Sequence, residues 1–203
     1  MPRPALSQTE IDRFRARLCR AATRRFAREG YAGVSLRGLA TDLGCSPTTP
    51  YRYFRDKDEI FAAVRASAFA KLAGAAETVL RSETDPRRRL VRLGETYLRF
   101  AREEPHAYRV IFELAQPEPS RYPELAAARR RAWSAIRSGV RSAREAGVVA
   151  GDLETLTHVL WAGLHGVAAL HLAGQLSDRP LEALAAPMIE TLLRGVAPSA
   201  GAA

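Results

Sequence analysis

Cysteine is scarce in this 203-residue chain, which has only Cys19 and Cys45. Two thiols with no secretory leader before them argue against a disulfide framework and for a reducing, cytoplasmic setting. Neither cysteine has a second ligand at a finger-like spacing, and His165 and His171 stand six apart on different helix faces, so no metal and no cofactor is expected. A small buried hydrophobe is the ordinary role for such a cysteine, and a redox switch the rarer one. Long apolar runs are missing too. The longest, LWAGLHGVAALHLAG at 160–174, is too short to span a bilayer and carries two histidines. Internal repeats and β-branched alternation are absent. So are a nucleophile–base pair at recognisable spacing, a phosphate loop and a dinucleotide fingerprint, so the chain is not read as an enzyme. Lysine is nearly absent, with 29 of the 31 basic residues being arginine; together with abundant alanine this is the bias of GC-rich coding.

What is present is positive charge and helical periodicity. Apolar residues make up 47% and charged residues 26%, a balance that allows a packed core, and the formal net charge of +9 points to polyanionic partners. Residues 1–60 hold 12 Arg and Lys against 7 Asp and Glu, about three times the net charge density of the remainder. Apolar residues recur at spacings of three and four, broken by Pro, Gly and Asp, which predicts an all-α chain of about nine helices. The first carries Ile11, Phe14, Leu18, Ala22 and Phe26 on one face and stops at Gly30. Roughly opposite lie Arg13, Arg17, Arg20, Arg24 and Arg28, either a phosphate-facing stripe or a solvated face. Ser35 caps a short helix with Leu36, Leu39, Ala40 and Leu43 in register, ending at Gly44. Asp56 with Glu59 opens a long helix to about Ser82, and Asp85 with Pro86 opens the next. Further helices are expected from Pro105 to Leu114, about Glu124 to Ala146, 153–175 and 181–195. The Pro-rich QPEPSRYP is a loop, and 198–203 a disordered tail.

Two short helices joined by a Gly-containing turn, behind a basic amphipathic helix, make a helix-turn-helix arrangement. Its second helix falls on CSPTTPYRYF, residues 45–54, where two prolines raise a question of register. With Ser46 as the cap and Pro47 first, Pro50 is the fourth residue and one backbone bond, to the Ser46 carbonyl, is lost. With Thr49 as the cap, Pro50 is the first residue and barely one turn remains. The longer helix is the expectation. Phe54, Leu39, Leu43 and Cys45 are read as core.

Residues 21–64 resemble the DNA-binding domain of the TetR family of bacterial transcriptional regulators. The resemblance is carried by F-x-x-x-G-Y at 26–31, Ser-Leu-Arg at 35–37, Leu-Ala at 39–40, Gly-Cys-Ser at 44–46, Tyr-Arg-Tyr-Phe at 51–54 and Lys-Asp-Glu at 57–59. Arg25 and Pro50 depart from it, standing where the family prefers apolar residues. The resemblance implies a dimeric, all-helical DNA-binding protein, usually a repressor released by a small ligand. An effector-independent regulator or an activator on the same fold is the alternative. It implies that Pro47, Thr48, Thr49, Tyr51, Arg52 and Tyr53 lie on the recognition helix. Thr48, Thr49 and Tyr53 would then face the major groove or its walls, and Tyr51 and Lys57 would meet phosphate. Arg37 is a second candidate for base contact and Ser35 for phosphate. The expected organisation is a DNA-binding domain at 1–55 and a ligand-binding and dimerisation domain at 56–197, in a cytoplasmic, nucleoid-associated protein.

In the second domain, Tyr97, Phe100, Tyr108, Phe112, Trp133, Trp161 and His165 could line a pocket for a mostly apolar ligand, or simply be core. WAGLHG at 161–166 resembles the W-x-x-x-H-G signature of one C-terminal domain type among TetR-like regulators, with Trp161 and His165 sharing a helix face. Gly163, Gly166 and Ala162 permit close helix approach. The last two helices, about 153–175 and 181–195, are expected to form the homodimer interface as a four-helix bundle. Their apolar faces carry Leu153, Leu156, Leu160, Leu164 and Val167, and Leu184, Met188 and Leu192.

Overall fold

The computed structural model describes residues 7–114, 121–176 and 180–198. Among them are eight α-helices: α1 Gln8–Gly33, α2 Leu36–Asp42, α3 Lys57–Ser82, α4 Pro86–Glu103, α5 Pro105–Phe112, α6 Pro123–Glu145, α7 Leu153–Leu172 and α8 Leu181–Gly195. A single 3₁₀ turn, Pro50–Arg52, stands where a ninth helix is expected. The QPEPSRYP loop, up to Ser120, and the tail from Ser199 fall outside the described residues.

Local signals account for most of the helix starts. Ser7 and Glu10 form a reciprocal capping box at α1, Ser35 accepts from Gly38 N at 3.1 Å, and Asp85 accepts from Arg88 N at 2.7 Å with Pro86 in the first turn. Asp56 accepts from Glu59 N at 2.8 Å, but the Glu59 carboxylate reaches one residue past the cap, to Arg55 N at 2.8 Å. Asp152 caps α7 through Thr155 N at 2.9 Å. Gly30 breaks α1 with φ 70°, ψ 176°, a conformation open to glycine. The break turns Tyr31 back so that its ring stacks on Phe26, centroids 6.0 Å apart.

The chain divides into two compact units, Met1–Ala68 with His106–Ala127, and Phe69–Pro105 with Ala128–Ala203. In the first, Leu18, Phe26, Leu39, Phe54, Ile60 and Phe61 are buried together. Val110 of α5 joins them, so α5 completes this core although its sequence lies far from the helix-turn-helix. Phe54 and Leu39 are buried as expected, while Leu43 and Cys45 are half-buried. Cys19 packs against the same core, and burial pushes its thiol pKa up to about 11, the state of a small hydrophobe rather than of a reactive thiolate. Arg25, the departure on α1, is stretched along the surface to α2, donating to Asp42 at 2.6 and 3.2 Å and pairing with Glu29 at 3.5 Å. A Cβ on Gly38 would collide with that guanidinium, so the glycine gives Arg25 its path.

In the second unit α4, α6, α7 and α8 bury Leu90, Val140, Val149, Leu156, Leu160, Ile189 and Leu193. Leu93 packs separately with Ala76, Val79 and Ala135. Ion pairs tie the helices at the surface: Arg131 to Glu77, Arg87 to Glu190 at 2.6 Å, and Arg137 to Glu154. No helix among the described residues is long and apolar enough to cross a membrane.

Candidate nucleic-acid interface and ligand cavity

α2 ends by the Schellman pattern, in which Gly44 N donates to Thr41 O at 3.1 Å and Cys45 N to Ala40 O at 3.0 Å, with Gly44 at φ 64°. Ser46 then opens a tight turn. Its carbonyl accepts from Thr49 N at 2.9 Å, and its hydroxyl lies 2.9 Å from that of Thr48. Pro50 follows, with no N–H to reach back four residues, and the next bonds span three residues until Phe54 closes a four-residue one. Arg52 N donates to Thr49 O at 3.1 Å, and Tyr53 N and Phe54 N both donate to Pro50 O at 3.0 Å. The longer recognition helix is therefore not formed. Thr49 is the cap and Pro50 the first residue, as in the shorter register. Thr49 itself has φ −60°, ψ −45°, an αR conformation that a following proline disfavours, and it links the two turns into one continuous bend. The Pro50 ring is buried, as the apolar residue expected there would be.

Three contacts absent from the sequence reading hold this segment. Tyr53 stacks on Phe14 with centroids 4.2 Å apart, while Arg15 donates to the Tyr53 carbonyl and lies 4.1 Å over the Phe54 ring. Arg15 stands outside the regular arginine stripe, the one sequence signal that it has a separate task. The stripe itself, Arg13, Arg17, Arg20, Arg24 and Arg28, is exposed throughout. Of the nine candidate DNA-contacting residues, Ser35, Arg37, Pro47, Thr48, Tyr51 and Arg52 are exposed, and Tyr51 is 60% accessible despite its large ring. Thr49, Tyr53 and Lys57 are half-buried. Lys57 Nζ donates to Tyr31 O at 3.0 Å and sits 4.3 Å from the centre of that ring, while the Tyr31 hydroxyl bonds Asp58.

The second unit contains a cavity of about 50 Å³ among α4, α6, α7 and α8, walled by aliphatic side chains together with Tyr97 and Trp161. The Tyr97 hydroxyl and His165 Nδ1 lie 2.8 Å apart and form a hydrogen bond. Trp161 lies 5.4 Å from His165 and meets Trp133 edge-on at 6.1 Å; Trp133 also contacts His158 at 4.7 Å. Phe100 is buried on α4 but does not line the cavity. Tyr108 and Phe112 pack on each other at 4.9 Å and belong to the first unit, because α5 does. The expected dimer-facing leucines are largely used within the chain. Leu156, Leu160 and Val167 are buried, and Leu164 and Leu192 line the cavity. Val159 and Leu170, eleven residues apart on one face of α7, are the large apolar side chains left exposed on that helix.

Comparison with known proteins agrees with this architecture. The family model "Bacterial regulatory proteins, tetR family" matches residues 18–64, and "Tetracyclin repressor-like, C-terminal domain" matches residues 90–192. The HTH-type transcriptional repressor AcnR of Corynebacterium diphtheriae is 33% identical over 70 residues, a stretch spanning 34% of this chain and only 37% of that protein. A solved protein of unknown function from Rhodococcus sp. RHA1 is 26% identical, with a TM-score of 0.79 over 98% of this chain and 100% of its own. The TetR family regulator PfmR from Thermus thermophilus shares the fold, at 24% identity and a TM-score of 0.73 over 88% of this chain and 97% of its own. With one domain match over the helix-turn-helix and another over half the chain behind it, the protein belongs to the TetR family of bacterial transcriptional regulators.

Proposed function

We propose that the protein is a ligand-responsive repressor, a cytoplasmic homodimer that holds a near-palindromic operator and releases it when a small, largely apolar molecule enters the second unit. The observation that carries the DNA half is the exposed group on the reading bend, Pro47, Thr48, Tyr51 and Arg52, with Arg37 at the start of α2. A 3₁₀ turn eclipses residues three apart, which suits presentation of Thr48 and Tyr51 on one side. Threonine methyl and hydroxyl groups match thymine methyls and base-edge acceptors, and Arg52 and Arg37 can address guanine. Thr49 and Tyr53 serve the groove wall. Ser35, whose hydroxyl is engaged by Gly38 N, and Lys57, engaged by Tyr31 O, lie at the starts of α2 and α3, where helix N-termini favour phosphate. The exposed arginines of α1 add sequence-independent attraction.

The ligand half rests on the apolar cavity and the polar Tyr97–His165 pair beside it, with Trp161 and Trp133 continuing the aromatic wall. The cavity of about 50 Å³ is far below the ~300–1,000 Å³ of drug-sized sites, so its occupant is small or displaces the walls. The dimer forms through α7 and α8, with exposed Val159 and Leu170 as the surface in need of cover. α3 has its start in the first unit and its remainder in the second, and is the element through which a ligand-induced shift would reach Lys57. The ligand moves the equilibrium only by its difference in affinity for the two states.

Fluorescence anisotropy with DNA flanking the protein's own gene is expected to show sequence-selective binding that weakens with salt. Tyr51→Ala and Thr48→Ala each should lose about 1–3 kcal/mol of operator affinity. Absence of selective binding to any such fragment sinks the proposal. Pro50→Leu returns an N–H to the Ser46 carbonyl but loosens the unfolded chain, effects of about 0.5–1.5 and 0.4–1 kcal/mol in opposite directions. Thermal melting should therefore stay within a few degrees of wild type, while operator selectivity changes. Unfolding of the first unit would show that the buried ring itself is indispensable. His165→Ala should leave operator affinity unchanged and raise at least tenfold the concentration of a screened effector needed for release; unchanged release would remove His165 from the ligand site.

A further inference from the structure

Helix interiors disfavour glycine, yet α4, α6 and α7 each place one against or behind the wall of the apolar cavity. Gly139 on α6 is buried, and a Cβ there would overlap Leu93 Cδ1. A Cβ on Gly163 of α7 would come within 2.8 Å of Leu192 Cδ2. On Gly94 of α4 it would come within 3.0 Å of Ile189 Cδ1. Leu93, Leu192 and Ile189 are all wall residues of the same cavity, and Gly94 lines it directly. In each case the colliding atom is the far end of a flexible side chain with close-packed helices around it and the cavity beside it. The free direction is therefore inward. Each glycine lets a wall residue lean back, and the space so vacated belongs to the cavity.

We infer that Gly94, Gly139 and Gly163 set the size of ligand that the cavity admits, acting through Ile189, Leu93 and Leu192. This rests on the reading of the second unit as a ligand-binding domain. These three are positioning residues: a methyl group added at any of them shortens the occupant without touching the Tyr97–His165 pair. Gly74, in the interior of α3 with open space around its Cβ position, provides a matched control that shares the gain in helix propensity.

The probes are straight-chain primary alcohols from propanol to octanol, titrated calorimetrically into the purified full-length protein, with helical circular dichroism confirming the fold of each variant. Wild type is expected to bind the series up to a limiting length. Gly139→Ala and Gly163→Ala should each bind the longest accepted alcohol about tenfold or more weakly, the cost of roughly one methylene in a filled pocket. Gly74→Ala should bind as wild type. Leu93→Val added to Gly139→Ala should restore the lost length, a rescue that a general effect on stability would not produce. If Gly139→Ala does not fold, Gly163→Ala carries the test. A wild-type limit that both variants keep overturns the inference and leaves the ligand reading standing. Folded wild type that binds none of the alcohols overturns both.

Discussion

The backbone between Ser46 and Phe54 has one donor too few, and its shape follows from where that donor is missing. Pro50 cannot reach the Ser46 carbonyl, so that oxygen accepts from Thr49 instead, and the chain tightens from four-residue to three-residue spacing. The same proline is buried where an apolar side chain is needed, so the segment cannot swing outward to relieve the mismatch. Arg15 and Phe14 on α1 then fasten the far end through the Tyr53 carbonyl and ring. A bend fixed at both ends presents Thr48, Tyr51 and Arg52 on a rigid short surface rather than on a freely extending helix. Rigid presentation lowers the ordering cost of binding, which is how a DNA-binding module with one short reading turn can still discriminate.

The two units manage polarity in opposite ways. The first unit keeps the α1 arginine stripe on the surface, buries Arg65, and encloses an aromatic core in which Phe26, Tyr31 and Phe61 meet at 4.7 to 6.0 Å. The second unit leaves an apolar void inside, walled by Leu, Ile and Val with one hydrogen-bonded polar pair beside it. Such voids cost stability, and close-packed helices would ordinarily remove them by collapsing. Here the void is kept open where Gly94, Gly139 and Gly163 let large side chains lean back.

Much of this was legible in the sequence because it is local. Helix starts at Ser35, Asp56 and Asp85 follow from hydrogen-bonding side chains next to the first turn, and periodicity gives the faces that Leu18, Phe26 and Leu39 bury. The Ser7–Glu10 box has the S-x-x-E signature and was equally readable. The reading bend was legible as a conflict between two registers; the missing Pro50 N–H is local, but the burial of its ring and the clasp of Phe14 and Arg15 on Tyr53 are not. Long-range pairing left no trace in the periodicity. Nothing in the α5 sequence says that Val110 joins the core of the first unit, or that Tyr108 and Phe112 go with it instead of to the cavity. Nor does it say that Arg25 would be accommodated by an ion pair with Asp42 over a glycine. The aromatic cluster around Trp161 and His165 was readable as a group because four-residue spacing puts both on one helix face. The glycines beside and behind the cavity wall could be found only once neighbouring helices were in place.

The geometry of residues 46–54 is the point on which the account turns, and amide hydrogen exchange of the free protein, resolved residue by residue, tests it most directly. The bonding pattern predicts protection at Thr49, Arg52, Tyr53 and Phe54, with Tyr51 exchanging close to the rate of an open loop. Unbroken protection through Tyr51 and Arg52, at the level of the neighbouring α2 amides, would mean that an ordinary α-helix forms there and would contradict it.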